Sequence, residues 1–274
     1  MRAFRIAYDG RPFHGFQRQP SVPTVEDRLF DALDSLGVFD RAESARPAGY
    51  AAAGRTDAGV SATAQTVAFE CPEWCTPSAL NGDLPADVRA WASAPAPDGF
   101  HATHDATRRA YIYHLYAPDL DDDRAADAAA ILRGEHDFHN LTTDESGTVR
   151  DLSVDLDRDG AVLRIHVAAD GFPRHLVRRL ASVIRGVGTD SRSPAWVRRL
   201  LGSAAVDGPE GVPTASPEPL VLTGVSYPGL AFDRDPVAAA SAAEVFGDRR
   251  LDARLRARVA GRLASVAEAD PDRL

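Results

Sequence analysis

The chain has 274 residues, enough to bury a sizeable core and to suit two substructures, and its forty acidic side chains outnumber thirty-one basic ones to give a net charge of −9. It has no stretch of about 18 apolar residues to span a bilayer, and Met1 to Arg5 lead into strand-like sequence instead of an apolar signal region, so a cytoplasmic protein is expected. Cys71 and Cys75 are its only cysteines, too few for a disulfide framework or a four-cysteine zinc site, and they read as structural or incidental.

Phe4 to Tyr8 alternates like a strand. Thr24-x-x-Asp27 resembles a capping box ahead of Val25, Leu29, Ala32, Leu33 and Leu36 at helical spacing, and Gly37 ends that helix. Residues 54 to 60 read Gly-Arg-Thr-Asp-Ala-Gly-Val. The glycines let the loop turn sharply and present Asp57 outward beside Arg55. An aspartate in such a turn ordinarily caps its own backbone. A catalytic reading of Asp57 therefore needs support from elsewhere in the chain.

Residues 61 to 69 read as a strand leading away from this loop, and Pro85 to Pro97 as a short strand with proline-rich flanks. A second half begins near Phe100, where Arg109 to Tyr116 alternates so that Arg109, Tyr111, Tyr113 and Leu115 share one face. Leu152 to Leu156 and Ala161 to Val167 flank Asp159-Gly160, a hairpin signal. Pro173 to Val187 reads as a helix whose apolar stripe includes Leu176, Leu180 and Ile184, with Arg174, Arg178 and Arg185 on a neighbouring face. A polar connection containing Pro194, Pro209, Pro213, Pro217 and Pro219 leads to a strand from Leu220 to Tyr227. Beyond Asp233 an Ala- and Arg-rich stretch through residue 269 reads as a helical appendage with no assigned job. The expected architecture is α+β, with halves at residues 1–98 and 99–232 and an extension at 233–274.

The heptapeptide at 54–60 resembles the signature of the TruA-type tRNA pseudouridine synthases, and the resemblance extends over most of the chain. Tyr8-Asp9-Gly10 and Gly15-Phe16-Gln17-Arg18-Gln19 are similar to the family's YDG and GWQRQ segments, with Phe16 where tryptophan is common. Phe100-His101-Ala102 and Ala106-Thr107 leading into Arg109, Tyr111 and Tyr113 resemble its FHA and AT-x-R-x-Y-x-Y segments. Gly171-Phe172, Val177-Arg178 and Gly188 resemble its F-x-x-x-M-V-R helix. Ser61 stands where the family often has histidine, and Pro173-Arg174-His175 is more polar than in some relatives.

The resemblance implies two ferredoxin-like (RRM-like) halves joined into a central antiparallel sheet flanked by helices, with the active cleft between them. It implies isomerisation of uridine to pseudouridine in the anticodon stem-loop of tRNA, at positions 38, 39 and/or 40, by a homodimer. That reaction breaks the glycosidic bond at N1, rotates the base and rejoins the sugar to C5. It has no net redox change and requires neither a metal nor an organic cofactor. Asp57 would be the essential carboxylate, acting as nucleophile or base. Arg178 would keep it ionised and oriented, and a buried pair of this kind loses about 3–5 kcal/mol when one partner is removed. Tyr111 would stack on the target base and help remove the C5 proton. Arg55 would occupy or brace the space left by the flipped base, Arg109 and Arg174 would meet the RNA, and Leu220 would wall the pocket.

The acidic balance is unusual for an RNA-binding protein. All the basic residues are arginine, and acids cluster at Asp119 to Asp123 and around Asp151 to Asp159. This composition suits a halophilic host, where strong salt already screens phosphate contacts. Arginine also holds phosphate bidentately and stacks on bases. His101-x-x-His104 and His136-x-x-His139 hint at metal ligation, which makes a metal-dependent phosphohydrolase the enzymatic rival, but no HExxH or cysteine set accompanies them and no metal is expected. A non-catalytic RNA-binding module is the rival from another class. The intact Asp57, Tyr111 and Arg178 set argues against it.

Overall fold

A computed structural model describes residues 1–206, 208 and 211–268; Pro209 of the proline-rich connection and residues 269–274 of the extension lie outside the described residues. The chain runs β1 (Arg2–Tyr8), α1 (Val25–Ser35), β2 (Ala51–Ala52), β3 (Ser61–Phe69), α2 (Pro77–Asp83) and β4 (Val88–Pro95). It continues through β5 (Arg108–Tyr116), α3 (Asp122–Leu132), β6 (Gly134–Asp137), β7 (Val149–Asp159) and β8 (Val162–Ala169). The remainder is α4 (Leu176–Gly188), α5 (Pro194–Leu200), β9 (Leu220–Ser226), β10 (Asp233–Arg234) and α6 (Pro236–Ala264).

The caps explain where the helices begin. Thr24 accepts a hydrogen bond from the Asp27 amide at 3.2 Å and donates its hydroxyl to Asp27 Oδ2 at 2.8 Å. At the other end of α1, Gly37 has φ +67°, and the amides of Gly37 and Val38 return to the carbonyls of Asp34 and Leu33, a Schellman closure. Two prolines start helices, one of them, Pro194, in what reads from sequence as a polar connection. Pro77 and Pro194 occupy first-turn positions after the N-caps Thr76 and Ser193, where a missing N–H costs nothing. The acidic run at Asp119 to Asp123 likewise supplies an N-cap: Asp121 accepts from the Arg124 amide at 3.1 Å to open α3.

One sheet of ten strands runs β10-β4-β1-β3-β9-β5-β8-β7-β6, with β2 paired to β3 off the path. Every pairing is antiparallel except the seam. There β3 meets β9 in parallel through Ser61 opposite Val221 and Ala62 opposite Leu222. The central sheet is therefore mixed, not purely antiparallel as expected. The seam joins the ends of two strands that each make their longer pairings elsewhere: β3 with β1, and β9 with β5.

Two apolar cores lie on either side of this seam. One gathers Phe4, Leu29, Phe30, Leu33 and Phe69 around α1 and α2, and the other gathers Leu132, Val154, Ile165, Leu180 and Ile184 around α3 and α4. Tyr111 on β5 packs against both. The expected appendage is partly integral to the sheet, since β10 pairs with β4 at its edge and α6 buries Ala238, Ala239 and Ala242. Among the described residues, no helix is long and apolar enough to cross a membrane.

Candidate active site

The loop that presents Asp57 joins β2 to β3 and is held from several sides. Phe16 donates its amide to the Thr56 carbonyl at 3.0 Å, Tyr8 and Thr56 share a 2.8 Å hydroxyl contact, and Gln65 Nε2 donates to the Gly54 carbonyl at 2.9 Å. The glycines matter differently from the expectation. Gly59 does adopt φ +81°, whereas the tightest approach comes from Gly10, whose Cβ would lie 2.1 Å from the Val60 carbonyl oxygen. Only a residue without Cβ fits there. Ser61, at the family's frequent histidine position, accepts from the Gly10 amide at 3.0 Å and so ties the same two segments together.

Arg178 enters from the other core. Its position on α4 follows from the apolar stripe, which buries Leu176, Val177, Leu180 and Ala181 around it. Arg178 Nη1 lies 3.1 Å from Asp57 Oδ2, and its Nε donates to the Ala215 carbonyl at 2.6 Å, fixing the guanidinium at two points. The Asp57 side chain is 35% exposed and that of Arg178 14%, so the pair is partly buried, less enclosed than the buried ion pair expected from sequence. Water shares its electrostatics, so the cost of breaking it lies below the roughly 3–5 kcal/mol of a fully buried pair.

A cleft of about 950 Å³ opens over this pair. Its walls include Arg55, Tyr111, Phe172, Arg174 and Leu220. The half-buried Tyr111 ring meets Phe172 edge to face, 5.2 Å between centroids at 89°. Burial pushes the Tyr111 phenol up to about 12, with Arg109 opposing and Asp57 reinforcing the shift. It is a neutral hydroxyl at physiological pH. Arg55 is exposed and, among the described residues, makes no hydrogen bond or ion pair of its own. Arg174 is exposed at the rim, where its amide donates to Asp144 Oδ2 at 2.7 Å.

Arg109 lies apart from the other predicted site residues. It is absent from the cleft wall, and its guanidinium donates to the carbonyls of Ala53, Thr103 and Asp170. These bonds tie the strand entering the Asp57 loop to the segment at Thr103 and to Asp170 after β8. The expected helix from Pro173 also starts later, at Leu176, because His175 takes a left-handed φ of +63° as its N-cap.

That turn creates a contact the sequence reading missed, with His175 Nε2 3.5 Å from Asp57 Oδ2. No local signal announces it, because the left-handed turn and not helical spacing brings His175 to Asp57. Asp57 Oδ2 thus has two cationic or polar neighbours, while Oδ1 accepts no hydrogen bond among the described residues.

His101 and His104 line the cleft with ring centroids 4.2 Å apart, and His136 and His139 lie outside it. Among the described residues there is no group of three or more His, Cys, Asp or Glu arranged to hold a metal ion.

Residues 128–228 match the family profile described as tRNA pseudouridine synthase. A tRNA pseudouridine synthase A from Haloarcula marismortui is 56% identical over 95% of this chain and 98% of its own length. The chain belongs to the tRNA pseudouridine synthase A family. A second relative of that name, from Halobacterium salinarum, is 56% identical over 97% of this chain and 99% of its own. Another, from Methanocella arvoryzae, is 38% identical over 86% of this chain and 88% of its own. Membership in this synthase family makes the chain an isomerase that converts uridine to pseudouridine in tRNA.

Proposed function

We propose that the cleft isomerises uridines of the tRNA anticodon stem-loop, with Asp57 as the essential carboxylate. The observation that carries this reading is the 3.1 Å contact between Asp57 Oδ2 and Arg178 Nη1 within the cleft that Tyr111 also lines. Arg178 and His175 hold one carboxylate oxygen and leave Oδ1 for the substrate. The target base leaves its stack, at a cost of a few kcal/mol, and enters between Tyr111 and the apolar wall of Leu220. Arg55, exposed at the cleft and unpaired among the described residues, fills or braces the vacated position. Arg174 meets a phosphate at the rim.

Two routes are open to the carboxylate: attack on the sugar or base, or removal of a sugar proton so that the base departs through a glycal. In each, the C5 proton must leave. A neutral phenol cannot take that proton without releasing its own, so Tyr111 acts as a relay.

The same reading treats residues 1–98 and 99–232 as ferredoxin-like halves with residues 233–274 as an extension, although the first core also takes Phe100, Leu222 and Val225 from the second half. It takes tRNA as the partner and a homodimer as the working form.

The test is tritium release from tRNA labelled at uridine C5, comparing the wild type with Asp57→Ala and mapping the modified positions. Equal release by the two proteins would defeat the assignment of Asp57. Product outside the anticodon arm would leave the chemistry intact and overturn the substrate site.

A further inference from the structure

Helix α6 begins against the sheet and ends away from it. Its anchored part closes at Arg249, whose Nη1 donates to Asp9 Oδ2 at 2.9 Å and whose Nη2 lies 2.6 Å from Asp87 Oδ1. Asp9 follows β1, Asp87 precedes β4, and Tyr8 pairs with both Ala62 of β3 and Val88 of β4. This is the end of the sheet from which the Asp57 loop rises. Every residue from 250 to 264 beyond that anchor is exposed. At a rise of about 1.5 Å per residue, the stretch carries the helix on for about 22 Å.

The charge of this segment opposes that of the whole chain. Residues 250 to 264 hold five arginines and one aspartate, in a protein of net charge −9. Arg256 is paired with Asp252 at 2.9 Å. Arg250, Arg254, Arg258 and Arg262 recur every fourth residue and make no side-chain hydrogen bond or ion pair among the described residues. Elsewhere arginines such as Arg11, Arg41, Arg133 and Arg164 are matched with carboxylates of the same chain.

We infer that this exposed arginine ridge docks the sugar–phosphate backbone of the substrate tRNA outside the catalytic cleft. The inference rests on the reading of the cleft as the site of uridine isomerisation. Charge complementarity selects the occupant, because unpaired guanidiniums grip phosphate oxygens bidentately. A second copy of the chain is the rival occupant, through Leu251, Leu255, Val259 and Leu263, which are also exposed. Their uniform spacing of four drifts around the helix by about 40° per step, whereas a straight helix–helix seam needs an average spacing near 3.5. Arginine tolerates the drift because its charge sits at the end of a long flexible stem.

The test uses the full chain carrying Arg250, Arg254, Arg258 and Arg262 all changed to Gln, with an all-Lys counterpart, in KCl concentrations at which circular dichroism shows each protein folded. Binding of an unmodified tRNA transcript and multiple-turnover kinetics are both measured. The Gln variant should weaken tRNA binding and raise KM at least about tenfold, leave kcat at saturating tRNA unchanged, and lower the slope of log Kd against log salt by about three. The Lys variant should keep the wild-type slope. Unchanged affinity and slope in the Gln variant would overturn the proposal. So would unchanged affinity accompanied by a dimer-to-monomer shift in sedimentation, which would assign the ridge to a second copy. Binding is read without turnover, so loss of the catalytic reading would show separately, as a wild type that binds tRNA and forms no pseudouridine.

Discussion

Asp57 Oδ2 and Arg178 Nη1 meet at 3.1 Å across 121 residues of sequence and across the seam between two apolar cores. The carboxylate belongs to a loop pinned to β1 and β3, and the guanidinium to a helix packed in the other core and tied to Ala215. Their contact exists only when both sets of strands are correctly joined. The site is thus a product of the seam, not of either half.

Replacing Asp57 should remove turnover and leave the fold intact. Asp57→Asn keeps the size of the side chain and deletes its charge, so a loss of pseudouridine formation on the order of 10³-fold or more is expected at nearly unchanged tRNA affinity. Single-turnover product formation and filter binding measure the two separately.

Arg178→Ala should depress kcat far more than stability. The ion pair is partly exposed and the Ala215 carbonyl loses its donor as well, so a loss of about 1–3 kcal/mol is expected in urea denaturation. Arg178→Lys should recover little activity, because a lysine ammonium cannot reproduce both the Asp57 contact and the Nε bond to Ala215. His175→Ala should lower kcat by a smaller factor, as it removes the second group near the same oxygen.

The Tyr111 phenol carries a pH signature. Burial raises it from the ordinary 10 to about 12 in the folded protein. Its contribution to stability is therefore fully present below pH 10 and is lost as pH climbs from 10 to 12, where the unfolded chain ionises and the folded one resists. Burial raises Tyr8 and Tyr227 in the same direction, so the wild type should lose thermal stability steeply over that range. Tyr111→Phe should shallow the fall, measured as Tm against pH, while slowing C5 tritium release at neutral pH.

Much of this was legible in the chain itself. Alternation placed β1 and β5, the Asp159-Gly160 turn placed β7 and β8, and the Thr24 cap placed the start of α1, because those signals are local. Asp57, Tyr111 and Arg178 converge as the motif resemblance implied. What escaped was non-local or ambiguous. Helix α3 buries little beyond alanine and Leu132, a weak apolar pattern, and α2 and α5 begin at prolines that equally mark loops. The parallel seam at Ser61 and Val221 leaves no trace in the periodicity of either strand. His175 became a neighbour of Asp57 only through a left-handed turn.

Arg109 was expected to bind RNA, and its hydrogen bonds lead to a different expectation. Its guanidinium holds the carbonyls of Ala53, Thr103 and Asp170, so it links the entry to the Asp57 loop, the segment bearing His101 and His104, and the end of β8. Deleting it strands the partly buried Ala53 carbonyl and removes two further, more exposed bonds, and charge-assisted bonds of this kind are worth about 1.5–3 kcal/mol each before solvent replaces them. Arg109→Ala should therefore lower the urea midpoint by an amount equivalent to about 2–3 kcal/mol. The slope of log Kd for tRNA against log salt should stay at its wild-type value, since no phosphate contact is lost. A variant that folds with wild-type stability and shows a shallower salt slope would return Arg109 to the RNA interface.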